Sequence, residues 1–434
     1  MLSWIVRKLW GDLTHDEMKK FGMLSMTCMF ILGTYWLMRP IKDSLFSKIV
    51  GASYIPRAKM LSFVAVALLI LVYSKLVDMY KKHQLFYIIC GFYGIIFLSI
   101  AYLLTDPTIG VANTVASPSR ILGWLIYLSV ESFGSLTIPL FWSFVNSNTD
   151  AASAKKGFGL IIAGTQIGTI AGPTLATYAV ELGMPFLAAS VSAGILTVPF
   201  LILLFTKVYP SSAVDVVGGE KKRTGCTEAL KLLLSRPYLM GILGVATLYE
   251  VIGTMLDFQL KFAASETYNT VEKMTVFVAR FGQCTNTIAL IFAFVGTSFF
   301  IRRFGLTFCL VMFPLSVAAV ILYAWSASSL WVLFTSMVII KSLSYALNNP
   351  CKEIMYLPTS KDVKFKAKGW IDGFGGRTAK AAGSAISDSF GGVMANLVFY
   401  GSIISLGIVG VWILVALYVG RTNKKLTDSG EILS

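Results

Sequence analysis

The sequence predicts an all-α integral membrane protein with about 12 transmembrane helices in two six-helix halves. The 434 residues are 56% hydrophobic and only 14% charged, and the mean hydropathy is +0.73. Soluble globular domains have roughly 25% charged residues, so this composition excludes a soluble enzyme. Apolar segments of about 20 residues, the length that crosses a bilayer, recur along the chain with short polar stretches between them.

The apolar segments form two sets of six. They cover residues 21–45, 59–79, 85–104, 121–147, 157–181 and 184–206, then 238–262, 274–300, 306–326, 329–350, 368–392 and 396–420. The longest polar stretch lies between the sets, and its turn formers and charges favour a cytoplasmic linker over residues 207–236. We therefore expect an N-terminal half over 1–206 and a C-terminal half over 237–434. This layout is that of major-facilitator-like transporters, whose substrate site lies near the bilayer midplane.

The distribution of basic residues predicts the orientation of the chain. With a cytoplasmic N-terminus, 23 bases lie in the cytoplasmic tails and loops and six lie on the opposite side. By the positive-inside rule both termini are cytoplasmic, in a multi-pass protein of a cell membrane, which we expect to be a bacterial inner membrane. The net charge of +15 therefore requires no nucleic-acid partner.

Metal and cofactor chemistry is not indicated by the residue types that usually carry it. The chain has two histidines and six cysteines, none of them in a CxxC pair, so neither a zinc site nor a disulfide framework is predicted. Gly376–Ser384 does not match the GxxxxGK[ST] pattern of a nucleotide-binding loop. We expect no metal, no cofactor and no enzymatic activity.

Several basic residues fall within or at the edges of the apolar segments: Arg39, Lys42, Lys75, Arg280, Lys341, Lys352, Arg377 and Lys380. A cation in the bilayer costs roughly 2.5 to 3.5 kcal/mol on insertion scales, so such residues should face a polar interior; Lys75 can reach the surface. The acids in the segments are Asp43, Glu131, Glu250, Asp257, Glu353, Asp372 and Asp388. Two interpretations remain open: structural ion pairs between helices, or bases shared between an acid and a bound anion such as a phosphate.

The positions of these charges favour a phosphate site. Arg39 and Lys42 are three residues apart and share a helix face, as do Arg377 and Lys380 in the most polar segment. Glu131 lies near the middle of the fourth segment, too deep to reach either surface, so it needs a partner, for which Lys42 and Arg39 are the candidates.

Aromatic residues next to amides could recognise a nucleobase. Trp142 precedes Asn146 at the end of the fourth segment, and Tyr345 precedes Asn348 and Asn349 in the tenth. Rings stack on bases and Asn can hydrogen-bond the edge of adenine, although ordinary interfacial aromatics explain the pattern equally well. Gly164, Gly168 and Gly172 repeat every four residues, which predicts a close-packed helix face.

Several motifs together resemble the ATP/ADP translocase (nucleotide transporter) family of obligate intracellular bacteria and plastids. Segment 39–45 resembles LRDTKDxL, 131–134 and 141–146 resemble ELWG and FWxFAN, 301–305 resembles IRRFG, 352–358 resembles KEMAYIPLD, and 366–372 and 375–383 resemble KGKAAID and RFGKSGG. The resemblance implies nucleotide exchange, with key charges at Lys42, Glu131, Glu250 and Lys380. Ser132 replaces the family's Trp, and other nucleotides or NAD remain open as substrates.

The predicted function is an ATP/ADP-type antiporter that works by alternating access without hydrolysis. Phosphates would bind Arg39 and Lys42 together with Arg377 and Lys380, and the acids Glu131 and Glu250 would hold the bases of the empty carrier. The predicted substrate-binding set is Arg39, Lys42, Glu131, Trp142, Asn146, Glu250, Arg280, Lys352, Arg377 and Lys380. The expected partners are a nucleotide and the lipid bilayer, with the protein acting as a monomer.

Two other functions stay possible on the sequence alone. Protonation of Glu131, Glu250 or Asp388 could drive symport of a nucleotide, NAD or another phosphorylated solute, since buried carboxylates commonly form proton relays. A membrane-embedded transferase acting on a lipid phosphate would need clustered acids for Mg²⁺, and the sequence has no DDxxD-like cluster.

Overall fold

The computed structural model describes residues 14–149, 151–210, 231, 233–295, 297–326, 329–360, 363, 367–368 and 370–432, and these are almost entirely helical. In chain order the α-helices of seven residues or more are α1 (His15–Phe46), α2 (Ile55–Met79), α3 (Lys82–Leu103), α4 (Ile121–Ser147), α5 (Ala151–Ala176), α6 (Met184–Val208), α7 (Pro237–Thr267), α8 (Val271–Val295), α9 (Thr297–Ser326), α10 (Leu330–Leu343), α11 (Asn349–Met355), α12 (Gly376–Asp388) and α13 (Met394–Ser429).

Helices long and apolar enough to cross a membrane form ten runs within the described residues. The first run, His15–Met79, contains two of the predicted segments because short helical turns connect α1 to α2. The predicted segment 368–392 is not among the runs, since α12 is short and carries Arg377, Lys380 and Asp388. Each of the other nine runs matches one predicted segment, so the ten runs account for eleven of the twelve segments.

A capping box fixes the start of α1. The side chain of Thr14 accepts a hydrogen bond from the backbone N–H of Glu17 at 3.2 Å, and the Glu17 carboxylate accepts one from the backbone N–H of Thr14 at 2.9 Å. This reciprocal pair satisfies two of the backbone donors that a helix N-terminus leaves open. The helix therefore begins six residues before the predicted apolar segment and continues through Pro40 to Phe46.

Contacts group the chain into two compact units. Unit 1 comprises Met1–Gly51, Val64–Gly219 and Tyr268–Gln283, and unit 2 comprises Ala52–Phe63, Glu220–Thr267 and Cys284–Ser434. Residues 211–230 of the predicted linker lie outside the described residues. The linker and the boundaries of the predicted halves, 1–206 and 237–434, therefore stay predictions.

In unit 1, α1 packs along α4, α5 and α6, and α3 packs against α6. The glycines of α5 lie where α5 meets α1. A Cβ atom on Gly168 would lie 2.4 Å from the carbonyl oxygen of Met29, and one on Gly172 would lie 2.1 Å from that of Gly33. These distances leave no room for a side chain, which confirms the prediction that the glycine repeat is a packing face.

In unit 2, α7 packs against α10, α12 and α13, while α9 packs against α10 and α13. Within α9 the helix is interrupted at Gly305, whose φ of 81° lies in the left-handed region. Only glycine adopts such a conformation without a steric cost, so this residue sets the break.

Three turns of π-helix occur within the described residues, and each lies beside charged residues of the spans. The turn Ser47–Gly51 follows Lys42 and Asp43. The turn Ser344–Asn348 follows Lys341, and the turn Ile371–Gly375 precedes Arg377 and Lys380. Single π-helical turns are rare and occur frequently at functional sites. The backbone irregularities of this fold therefore coincide with its intramembrane charges.

Candidate substrate-binding site

Lys42 is the most enclosed of the predicted site residues. It lies in α1 with 3% of its surface exposed, and its Nζ donates a hydrogen bond to Oε1 of Glu131 in α4. The same Nζ lies 3.4 Å from Oδ1 of Asp43 and 4.3 Å from the centre of the Tyr127 ring. One lysine therefore faces two carboxylates and an aromatic ring, and Lys42, one of the two predicted partners of Glu131, contacts it in the structure.

The close approach of α1 and α4 makes this ion pair possible. Gly134 lies one helical turn after Glu131, and a Cβ atom on it would lie 2.5 Å from the ring of Tyr35 in α1. Glycine at this position lets α4 approach α1, and Glu131 and Gly134 share a helix face because they are three residues apart. The Glu131 side chain keeps 33% of its surface exposed, so an incoming ligand can reach the carboxylate.

Arg39 lies one turn before Lys42 on α1 and is half-buried. Its guanidinium lies 4.6 Å from the centre of the Trp36 ring, the distance of a cation–π contact. Stacking of this kind fixes the plane of the guanidinium. The arrangement is compatible with the predicted phosphate-binding role of Arg39, which stays a prediction.

In unit 2, Lys380 of α12 pairs with Glu250 of α7. Nζ of Lys380 lies 3.7 Å from Oε2 of Glu250, and the two side chains are 56% and 25% exposed. Gly383, one turn after Lys380, allows this approach, since a Cβ atom on it would lie 2.6 Å from the carbonyl oxygen of Val251. A glycine three residues from the charged group thus positions the pair in each unit.

The two pairs differ in how accessible the cation is. Lys42 is enclosed by Asp43, Glu131 and Tyr127, whereas more than half of the Lys380 side chain is exposed. In this conformation an anion can reach Lys380 directly. For Lys42, a ligand would first have to displace Glu131.

The remaining predicted basic residues are dispersed. Lys352 of α11 is half-buried and close enough to Glu250 to interact with its charge, Arg377 of α12 is half-buried, and Arg280 of α8 is exposed. The structure therefore brings together Glu250, Lys380 and Lys352 in unit 2, and Lys42 and Glu131 in unit 1. Within unit 1, the described residues show no ion pair of Arg280 with Lys42 or Glu131.

The predicted base-recognition residues lie at the end of α4. The Trp142 ring makes edge contacts with Phe141 and Phe158 at centroid distances of 5.6 and 5.8 Å, and Asn146 is exposed. Phe141 is buried and packs in the core of unit 1. A role of Trp142 and Asn146 in recognition of a base stays a prediction, with Trp142 held in place by its aromatic neighbours.

A second buried charge cluster in unit 2 was not predicted as a site. Oδ2 of Asp257 lies 2.7 Å from Nζ of Lys59 and 2.8 Å from Nζ of Lys261. Lys59 and Lys261 stand at the ends of the predicted segments 59–79 and 238–262, but α2 begins at Ile55 and α7 continues to Thr267, so both lysines lie within helices. The four-residue spacing of Asp257 and Lys261 in α7 is the signal that could have revealed the pair.

Two further ion pairs of unit 2 are more exposed than the Asp257 cluster. Arg57 donates to Asp388 at 3.0 Å, and Lys368 donates to Glu353 at 2.6 Å. Asp388 was a candidate proton carrier in the symport alternative, and its carboxylate is engaged by a guanidinium here. Exposed pairs of this kind contribute only about 0 to 1 kcal/mol to stability.

The chain is similar to known proteins over nearly its whole length. A family model described as TLC ATP/ADP transporter matches residues 3–422. ADP,ATP carrier protein 3 of Rickettsia bellii (strain RML369-C) is 22% identical, and the alignment covers 98% of this chain and 97% of that protein. ADP,ATP carrier protein 2, chloroplastic, of Arabidopsis thaliana is 25% identical, with 92% of this chain and 74% of that protein covered.

Among solved structures, the fold is similar to a bacterial homologue of the iron transporter ferroportin in an inward-facing state. The TM-score is 0.67 at 13% identity, and the match covers 94% of this chain and 100% of that chain. At this identity the likeness shows the fold alone. It confirms the predicted fold class, an all-α, major-facilitator-like membrane protein.

Proposed function

Because this chain belongs to the TLC ATP/ADP transporter family, as the sequence resemblance predicted, we propose that it exchanges nucleotides of the ATP/ADP type across a membrane. The relatives are named ADP,ATP carriers, and their names supply the substrate class of this proposal. The protein acts by alternating access and does not hydrolyse its substrate. It functions as a monomer with both termini in the cytoplasm.

The observation that carries the proposal is the Glu250–Lys380 pair. A lysine of the helical region, more than half exposed, faces one carboxylate at 3.7 Å. Cation-to-phosphate hydrogen bonds are charge-assisted and about twice as strong as neutral ones, so a phosphate group competes well with Glu250 for Lys380. Lys380 then changes its partner from a carboxylate to the cargo, which gives the loaded and empty states different interactions.

Lys42 and Glu131 support the same mechanism in unit 1. Glu131 holds the lysine while the carrier is empty, and its exposed fraction allows a phosphate to replace it. A ligand shifts a conformational equilibrium only by its differential affinity for the two states. Exchange of carboxylate for phosphate at these lysines supplies that difference, and the slow return of the empty carrier makes the transport an exchange.

The experiment is uptake of labelled ATP into proteoliposomes containing the purified protein. Antiport predicts uptake into vesicles preloaded with ADP and a rate near background in empty vesicles. Lys380→Ala should reduce uptake at least tenfold without loss of protein from the membrane, because its side chain is exposed and its removal leaves no cavity. Lys75→Ala, which removes an exposed lysine of α2, is the matched control and should transport normally.

Two results would contradict the proposal. Uptake into empty vesicles that depends on an acid-outside gradient would establish the proton-coupled alternative instead of exchange. Transport by Lys380→Ala at the rate of Lys75→Ala would remove Lys380 from the substrate site.

A further inference from the structure

Lys341 lies deep in the membrane-spanning part of unit 2 and belongs to none of the motifs that carry the family resemblance. It is the twelfth residue of α10 (Leu330–Leu343) and follows a run rich in apolar side chains. At about 1.5 Å of rise per residue it lies roughly 16 Å along the axis from Leu330, about half the thickness of the hydrocarbon core. A cation at this depth is expensive and by default marks a functional site.

The charge of Lys341 is not neutralised by a contact ion pair. Among the side chains that the structure describes, no carboxylate lies within 4.0 Å of its Nζ, and its only close partner is the Tyr249 ring, at 5.6 Å from the centroid. The ring is held by Phe313 and Trp412, at centroid distances of 5.4 and 6.3 Å. The aromatic cluster thus gives the ammonium group a cation–π contact but no formal negative charge to neutralise it.

The nearest acids to Lys341 are already engaged with other lysines. Glu250 and Asp257 both lie close enough to interact with its charge. Glu250 pairs with Lys380, however, and Oδ2 of Asp257 is bound by both Lys59 and Lys261. Positive charge near Lys341 therefore exceeds what these two carboxylates compensate.

The backbone next to Lys341 contains a π-helical turn, as does the backbone near Lys42 and near Lys380. The π-helical turn Ser344–Asn348 begins three residues after Lys341, as Ser47–Gly51 follows Lys42 and Ile371–Gly375 precedes Lys380. Such turns alter the helical register and re-aim side chains, and they recur at functional sites. This observation is independent of the charges and points to the same residue.

We propose that Lys341 binds the phosphate tail of the transported nucleotide alongside Lys380 and favours di- and triphosphates over monophosphates. The inference rests on the proposed function and extends it to the number of phosphates. Lys341 and Lys380 belong to two helices and are both near Glu250, so an anion that displaces Glu250 meets two cations. A longer phosphate tail presents more anionic oxygens to the two lysines, so the second lysine adds more to its binding free energy than to that of a monophosphate.

The test compares Lys341→Gln with the wild-type protein in exchange of labelled ADP, with AMP, ADP and ATP as competitors. Gln keeps a polar end group on a side chain one atom shorter and removes the charge. Loss of one charge-assisted hydrogen bond should raise the inhibition constant of ATP about tenfold or more. The inhibition constant of AMP should change by less than about twofold, so the preference for ATP over AMP falls. Lys75→Gln is the matched control and should leave all three values unchanged.

Lys341→Arg separates charge from structure. It retains the cation, so it should keep the preference for ATP over AMP within about threefold of wild type. This variant still tests the inference if Lys341→Gln fails to insert into the membrane. Equal weakening of all three nucleotides in Lys341→Gln, or loss of the ATP preference in a folded Lys341→Arg, would overturn the inference. A wild-type protein that exchanges no nucleotide would instead contradict the proposed function, so the two failures are distinguishable.

Discussion

Charge pairing inside apolar helices is the central feature at the scale of single residues. Lys42 faces Asp43 and Glu131 in unit 1, and Lys380 faces Glu250 in unit 2. Removing one member of a buried pair costs about 3 to 5 kcal/mol because the remaining charge is left uncompensated. For Lys42, fold stability and transport therefore have to be measured separately.

Lys42→Ala should abolish exchange and also lower the stability of the detergent-solubilised protein, because Asp43 and Glu131 lose their shared cation. Adding Glu131→Gln should recover part of the thermal stability, since the double variant removes one of the uncompensated charges. It should recover no transport, because the phosphate-binding cation is still missing. Thermal unfolding and proteoliposome exchange, measured on both variants, check the prediction.

The single variant Glu131→Gln is the control for the double variant. It should retain the membrane insertion of wild type and exchange slowly, because a neutral amide holds Lys42 less strongly in the empty carrier. If the double variant transported as well as wild type, Lys42 would be a structural residue only.

At the scale of helices, glycine determines how closely neighbouring helices approach. The α5 face that carries Gly168 and Gly172 lies directly on the α1 backbone, with less than 3 Å available to an added Cβ atom. Gly134 and Gly383 allow the approaches that bring Glu131 to Lys42 and Lys380 to Glu250. The helix contacts and the candidate site thus depend on the same residue type.

Gly168→Ala should destabilise the protein by several degrees in thermal unfolding, because its Cβ atom would lie 2.4 Å from the Met29 carbonyl oxygen and would push α5 away from α1. Gly91→Ala in α3 is the control, since nothing lies within 4 Å of a Cβ atom there. That control should be neutral or slightly stabilising, because Ala is the better helix former by about 1 kcal/mol. Equal melting temperatures for the two variants would contradict the packing role.

At the scale of the whole molecule, the chain is a multi-pass membrane protein, and the distribution of bases predicts its orientation. The predicted cytoplasmic side carries 23 of them against six on the other. A surplus of this size favours cytoplasmic termini, because positively charged loops are retained on the cytoplasmic side.

Reporter fusions check the orientation. Alkaline phosphatase, which is active only outside the cytoplasm, should be inactive when fused after residue 432 and active when inserted in the loop between α3 and α4, near Thr114. The loop insertion serves as the positive control for expression and folding of the reporter. Activity at the C-terminus with none in the loop would reverse the predicted topology.

The sequence by itself determined the fold class, most of the spans and most of the intramembrane charges, because burying a charge or exposing an apolar segment has a large local cost that composition reveals. It also predicted that Glu131 needs a partner. It named Lys42 and Arg39 as candidates, since both lie on one face of α1, and the contact that Lys42 makes follows from the approach of α4 at Gly134.

Other features depended on contacts between segments far apart in the chain. Lys59 lies about 200 residues before Asp257, and no local pattern links them, so only the tertiary structure revealed their ion pair. The same holds for Lys341: the sequence marked it as a buried base, but its distance from every described carboxylate and its place above Tyr249 follow from helix packing. Sequence specifies which charges enter the membrane, and packing decides which of them are compensated there.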